Sequence, residues 1–238
     1  MSLVEVSMAE GVAWIWLNRP DRLNAVSDPL VVDLLRALDS VADAKAVVLA
    51  GRGRAFCAGH DLKEPAPQGD SRPRLERLQD VTRRLRALPQ PVIAAVHGYA
   101  IGAGAEFALG CDLILAAEDA VFAFPETGLG LSVTGAASRL LPLLVGPLKA
   151  KELVLLGERV GASSALTLGL VNAVVPDVHK AAGDWTRRIA ERSPGALALA
   201  KRALDHGIDL AAALELEISH ALVTEHLPEG ADTLRSGR

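Results

Sequence analysis

Apolar positions along the chain fall into two kinds of run. Short continuous blocks alternate with longer stretches in which leucines and valines recur three or four residues apart. "GVAWIWLNRP" (11–20) has strand-like composition, and Pro20 ends it. "SDPLVVDLLRALDSVADA" (27–44) reads as a helix, because Leu30, Leu34, Leu38 and Val41 recur on one face. Ser27 or Asp28 can cap that helix, and Pro29 suits its first turn. "AVVLA" (46–50) is a short buried strand that runs into the glycine-rich "GRGRAFCAGHDLK" (51–63). "EPAPQGDSRP" (64–73) carries three prolines and no periodicity, and it reads as a mobile loop able to act as a lid. Leu75, Leu78, Val81, Leu85 and Leu88 then mark an arginine-rich amphipathic helix. "PVIAAV" (91–96) is another strand, "GAGAEFALG" (102–110) a short helix and "DLILAA" (112–117) a strand again. From Val133 to Ala221 helices dominate, with one strand expected at "LVNAVV" (170–175).

Strands alternating with helices predict an α/β fold with parallel pairing through crossover connections. The strands are continuous in hydrophobicity, as expected when both faces of a sheet are covered. No composition break forces a domain boundary, and no internal repeat or low-complexity tract stands out.

Composition narrows the functional classes. The 238-residue chain has a formal net charge of −4, with acids and bases mixed along its length, so it carries no electrostatic footprint for nucleic acid. The N-terminus has an early acidic residue and no long apolar block, which argues against a secretory signal. The best membrane-span candidate is interrupted by Glu106 and Asp112, so no membrane association is expected. Two cysteines, Cys57 and Cys111, cannot form a disulfide framework and read as small packing residues in a reducing, cytoplasmic compartment. No cluster of His, Cys and Asp has metal-ligand spacing, so no metal is expected.

The candidate chemistry lies in "IGAGAEF" (101–107), inside a run from Pro91 to Ala117 in which Glu106 and Asp112 are the carboxylates. A lone carboxylate in such surroundings is costly to bury. The glycine-rich turns match neither a phosphate-binding P-loop nor the dinucleotide fingerprint. A sharper reading is that the chain turns at Gly98 and again at Gly102–Gly104 before entering a helix. The first N–H groups of a helix lack internal partners and carry partial positive charge. Small residues there admit an external oxygen, and a carbonyl that gains negative charge would be stabilised. Glu106 would then lie one turn further in, leaning back toward that site.

These residues resemble a known family. "PVIAAVHGYAIGAGAEFALGCDLILAAEDAVFAFPETGLGL" (91–131) is similar to the central signature of the crotonase superfamily, the enoyl-CoA hydratase/isomerase family. "LNRPDRLNAVS", "GRGRAFCAGHDLK" and "GERVGASSALTLGLVNAVVP" extend the resemblance over most of the chain, in matching order and spacing. The resemblance implies a crotonase-like spiral of ββα units over residues 1–190, holding an acyl-CoA site, and a helical C-terminal trimerisation region over 191–238. It implies a homotrimer or homohexamer, an acyl-CoA substrate, and no cofactor beyond the coenzyme A carried by that substrate.

Roles follow residue by residue from the resemblance. Backbone N–H groups of His60 and Ala103 would form an oxyanion hole for the thioester oxygen. His60, Asp61, Leu62 and Lys63 would lie along the coenzyme A moiety, with Lys63 and Arg22 as candidate contacts. Glu106 and Glu126 would be the acid–base pair, with Glu106 activating water and Glu126 giving the α-proton. The implied activity is hydration of a 2-enoyl-CoA to a 3-hydroxyacyl-CoA. The alternatives are 3-enoyl to 2-enoyl isomerisation, another crotonase-type lyase or hydrolase reaction, and a non-catalytic acyl-CoA-binding role. Three departures from the family pattern stand out: "LSVTGAASRLL" in place of a glycine pair, a short tail "EHLPEGADTLRSGR", and His97 where asparagine is frequent. His97 reads as a turn or core residue.

Overall fold

A computed structural model of the chain describes residues 2–63 and 70–206. Its frame is a six-stranded sheet built, in spatial order, from β1 (Val4–Ala9), β2 (Val12–Leu17), β3 (Ala46–Gly51), β4 (Val92–Val96), β6 (Leu113–Ala117) and β9 (Ala173–Val175). β1 and β2 pair antiparallel, and every other neighbouring pair is parallel. A second sheet of three short strands runs β5 (Tyr99–Ile101), β7 (Val121–Ala123), β8 (Val160–Gly161). Its β5–β7 pair is parallel and its β7–β8 pair antiparallel.

The helices are α1 (Asp28–Asp39), α2 (Arg72–Ala87), α3 (Ala103–Gly110), α4 (Ala137–Val145), α5 (Pro147–Leu156), α6 (Ala162–Thr167), α7 (Val178–Ala190) and α8 (Pro194–His206). The chain leaves β4 in the first sheet, adds β5 to the second and then enters α3. It returns through β6 and adds β7 beside β5. This two-strands-then-helix step is the spiral that the sequence motifs imply.

Both faces of the first sheet are covered, which explains why β3 and β4 are buried along their whole length. The larger core joins one face to α1, α2 and α3 through residues such as Ile15, Leu34, Leu49, Leu85 and Phe107. A smaller core joins the other face to α7 through Val48, Ile93, Leu115 and Ala182. α1 is capped by the Ser27 hydroxyl, which accepts from the Leu30 N–H. Its buried face carries Leu30, Leu34 and Leu38, as the periodicity predicts. No helix among the described residues is long and apolar enough to cross a membrane.

Four strands depart from the expected pattern, among them the two-residue β8 within the stretch expected to be helical. β1 was not anticipated, because it is a sheet edge whose side chains after Val4 are all exposed. β5 and β7 are only three residues long, too short for a period to register. The loop expected over 64–73 is also shorter at its end, since Arg72 and Pro73 open α2. Its residues 64–69 lie outside the described residues, as does 207–238 of the expected C-terminal region.

Candidate active site

The site begins with a loop threaded between two other segments. On one side, Phe56 and Cys57 donate their N–H groups to His97 and Tyr99 carbonyls at 2.8 Å, and Ile101 donates to the Cys57 carbonyl at 3.0 Å. On the other side, Ala58 donates to the Leu23 carbonyl, Val26 to Gly59 and Asp61 to Val26. Asn24 locks this arrangement. It is fully buried in a left-handed conformation, accepts from the Arg19 N–H, and donates to the Arg52 and Ala55 carbonyls.

This threading presses residues 59–60 against the start of α3. A Cβ on Gly59 would lie 2.7 Å from the Ile101 carbonyl oxygen and 3.9 Å from the Ala103 nitrogen. A Cβ on Gly104 would lie 2.2 Å from the Cys57 carbonyl oxygen, so only glycine permits the approach. Among the described residues, neither the His60 nor the Ala103 N–H has a protein acceptor. Ala103 is outside the positive-φ residues, so alanine sits there without strain.

Gly102 precedes α3 at φ +52°, with its N–H anchored on the Ala123 carbonyl of β7. Every residue of α3 is buried, Glu106 included at 1% exposure. The Glu106 carboxylate is gripped by one residue. Oε1 accepts the Thr134 N–H and Oε2 accepts the Thr134 hydroxyl, both at 2.5 Å. The next residue, Gly135, passes so close that a Cβ there would lie 2.8 Å from the Glu106 Cβ. Its carbonyl accepts from the Thr82 hydroxyl of α2.

Glu126 opens the short 3-10 turn Glu126–Leu129 and is 6% exposed. Its Oε1 lies 2.7 Å from the position a Gly102 Cβ would take, which sets it against the entrance of α3. Its Oε2 is buried and has no hydrogen-bond partner among the described residues. Burial raises both carboxyl groups above the ordinary carboxylate range. For Glu106, the two Thr134 donors oppose the rise and the Glu126 charge adds to it.

The remaining expected site residues divide. His60 is half-buried, and burial together with the Arg74 charge lowers its imidazole. Leu62 and Lys63 are exposed on the rim. Arg22 is exposed as well, at the end of the short turn Pro20–Arg22. The Asp61 carboxylate is engaged within the protein. It accepts from Arg19 at 3.0 Å and from the Lys63 N–H at 3.1 Å. Burial alone would raise Asp61, but the Lys63 N–H and the Arg19 and Arg22 charges outweigh it and hold the group low. Its side chain therefore braces the loop. Arg19, Asn24 and Thr134 are the parts that sequence reading missed. Thr134 had a signal, as a hydroxyl inside the atypical turn after Glu126.

Other expectations can be placed as well. His97 donates from Nε2 to the Gly53 carbonyl, 2.9 Å away, in the turn before β5. Both cysteines are buried and free, and burial pushes the Cys57 thiol up to about 12. Among the described residues, no group of three or more His, Cys, Asp or Glu is placed to hold a metal ion.

Comparison with known proteins shows the family. The sequence profile of the family described as "Enoyl-CoA hydratase/isomerase" matches residues 7–232. A Mycobacterium tuberculosis protein named "Probable enoyl-CoA hydratase echA6" is 38% identical over 205 residues, covering 85% of this chain and 82% of its own length. The crystal structure of an enoyl-CoA hydratase from Bacillus anthracis superposes with a TM-score of 0.92 at 34% identity, covering 99% of this chain and 97% of that one. That of an enoyl-CoA hydratase from Thermoplasma volcanium gives 0.93 at 30% identity, over 100% and 98% of the two chains. With a buried carboxylate pair at the mouth of α3 and a profile match over nearly its whole length, the chain belongs to the enoyl-CoA hydratase/isomerase family of the crotonase superfamily.

Proposed function

We propose that the protein is an enoyl-CoA hydratase, which adds water to a 2-enoyl-CoA thioester to give the 3-hydroxyacyl-CoA. The observation that carries this reading is the meeting of two buried carboxyl groups with the acceptor-free start of α3. The thioester oxygen takes the N–H groups of His60 and Ala103. As hydroxyl adds to the β-carbon, negative charge moves onto that oxygen, and each aimed donor is worth about 3 kcal/mol.

Glu106 accepts a proton from water while the water oxygen bonds to the β-carbon. Glu126 delivers its proton to the α-carbon as the double bond is lost. A proton then passes from Glu106 back to Glu126 to restore the pair. Burial suits this division, because it raises both carboxyl groups above the ordinary carboxylate range, and two such groups in electrostatic contact share their protons. Each carboxylate oxygen has two lone pairs, so the Thr134 bonds leave Glu106 able to accept from water.

Residues 60–63 run along the coenzyme A moiety, with Lys63 exposed at the rim to meet its phosphates. Coenzyme A enters with the substrate, and no other cofactor is required. The protein works as a homotrimer or homohexamer in the cytoplasm.

One observation favours a second reading. Glu126 Oε2 is the unpartnered oxygen, whereas both Glu106 oxygens are engaged. A single base beside an oxyanion hole suffices to isomerise a 3-enoyl to a 2-enoyl thioester. The test is a panel of 2-enoyl- and 3-enoyl-CoA substrates of increasing chain length, with product identification. Loss of the conjugated absorbance with formation of 3-hydroxyacyl-CoA is expected. No hydration at any chain length would overturn the hydratase reading.

A further inference from the structure

Among the described residues, Thr134 hydrogen-bonds to both oxygens of Glu106, and it does so with two different donors. The backbone N–H is available from any residue but proline. The hydroxyl is specific to this side chain, and its hydrogen points at a carboxylate that is 1% exposed. The turn that presents it is built with care. Gly135 at φ +53° lets the chain pass the Glu106 Cβ, and its carbonyl is tied to Thr82 on α2. Ala136 follows in the left-handed region, an unfavourable place for alanine that the surrounding contacts must maintain.

The two carboxyl groups are treated unequally. Glu106 receives two donors, which stabilise its charged form. Glu126 has a buried oxygen with none, a condition that a neutral carboxyl tolerates far better than a carboxylate. The charge acting on Glu106 is that of Glu126. The other group acting on it, Thr134, is neutral, and the turn that carries Thr134 is held by the neutral Thr82 hydroxyl of α2.

We propose that Thr134 is a positioning residue that keeps Glu106 as the accepting carboxylate and thereby leaves the shared proton on Glu126. The role rests on the hydratase reading for its consequence in turnover, but it is visible in protonation alone. Thr134 thus determines which member of the pair is base and which is acid. It also fixes the Glu106 carboxylate plane, so water meets lone pairs whose direction is set before substrate arrives.

The test uses the full chain with Thr134→Val and Thr134→Ser, and two readouts. In the first, kcat and KM for a short 2-enoyl-CoA are followed against pH. Loss of one hydrogen bond to a charged group should lower kcat by roughly 10- to 100-fold in Thr134→Val, with KM little changed. The acidic limb of the profile reports protonation of the base and should move to higher pH, narrowing the bell. Thr134→Ser, which keeps the hydroxyl, should restore both. An acidic limb that stays in place in Thr134→Val, or a Ser variant no better than Val, would overturn the role.

The second readout is carboxyl NMR titration of Glu106 and Glu126 without substrate. In Thr134→Val, the Glu106 signal should titrate at higher pH than in the wild type and in Thr134→Ser. If it titrates unchanged, the proposal fails whatever the kinetics show. If the wild type hydrates no enoyl-CoA, the hydratase reading fails, and the NMR titration decides the Thr134 role by itself.

Discussion

Glu106 and Asp112 sit in the same apolar run, yet the structure disposes of their charges in opposite ways. Asp112 accepts from the Val92 N–H and from Lys201 Nζ, each at 2.7 Å. Lys201 arrives from α8, far along the chain, and also donates to the Leu85 and Gln90 carbonyls. The ion pair is nearly closed off, with side-chain exposures of 6% for Lys201 and 16% for Asp112. It latches α8 to the ends of α2, β4 and β6. Burial raises Asp112, and Lys201 opposes that rise. Among the described residues, Glu106 has no cation partner. Its donors are neutral and its charged neighbour is another carboxyl. A buried carboxylate with a cation is costly to leave half-paired, whereas one facing a like charge binds its proton more tightly.

The largest expected effect tests the Glu106 half of this contrast. Glu106→Gln should reduce hydration kcat by about 10^2- to 10^4-fold, the usual worth of a positioned acid or base. Its melting temperature should not fall, because the change removes a charge whose burial opposes folding. Isomerisation of a 3-enoyl thioester through Glu126 should survive better than hydration. A hydration loss below tenfold would place Glu106 outside the chemistry.

The Asp112 half should show the reverse. Asp112→Asn leaves the Lys201 ammonium buried without its anion and should cost about 3–5 kcal/mol in urea unfolding. Turnover per folded molecule should be unchanged. Adding Lys201→Met should recover most of that stability, because a buried pair replaced by apolar groups is often neutral. If the double variant is as unstable as the single, the latch is not electrostatic.

The smallest effect concerns strain. Among the described residues, the non-glycine positions with positive φ are Glu10, Leu23, Asn24 and Ala136. The last three frame the site, and none adjoins Asp112. Ala136→Gly should therefore stabilise the protein by about 1 kcal/mol in thermal unfolding, since it removes a Cβ from left-handed backbone. The loop that carries Thr134 should loosen at the same time, lowering rather than raising turnover. A variant that gains neither stability nor loop motion would show that Ala136 is unstrained.

Sequence alone reached the frame and the chemistry, but not the supports between them. α1, β3, β4, α3 and β6 are each long or strongly apolar, so local periodicity reveals them. β5 and β7 are three residues long and gain their identity only by pairing with each other. Glu106 stands out because its surroundings make a carboxylate costly, and Glu126 through the resemblance of its segment to the family pattern. Thr134 does not, because a threonine in a glycine-containing turn is ordinary until the fold brings it to Glu106. Arg19 and Asp61 are likewise separated along the chain, and Asn24 acts through main-chain groups. Asp61 adds a contact that the motif does not announce. Its position in the motif suggests a ligand contact, while its carboxylate is occupied by Arg19 and the Lys63 N–H.

Residues 102–104 carry one last consequence, for how the site can drift. At 102, a methyl group would meet both a left-handed backbone and Glu126 Oε1; at 104, it would meet the Cys57 carbonyl oxygen. Between them Ala103 already bears one. Neutral substitution is therefore open at the middle position and closed at its two neighbours. Inherited variation in this triplet should track the amide's surroundings without displacing the amide itself.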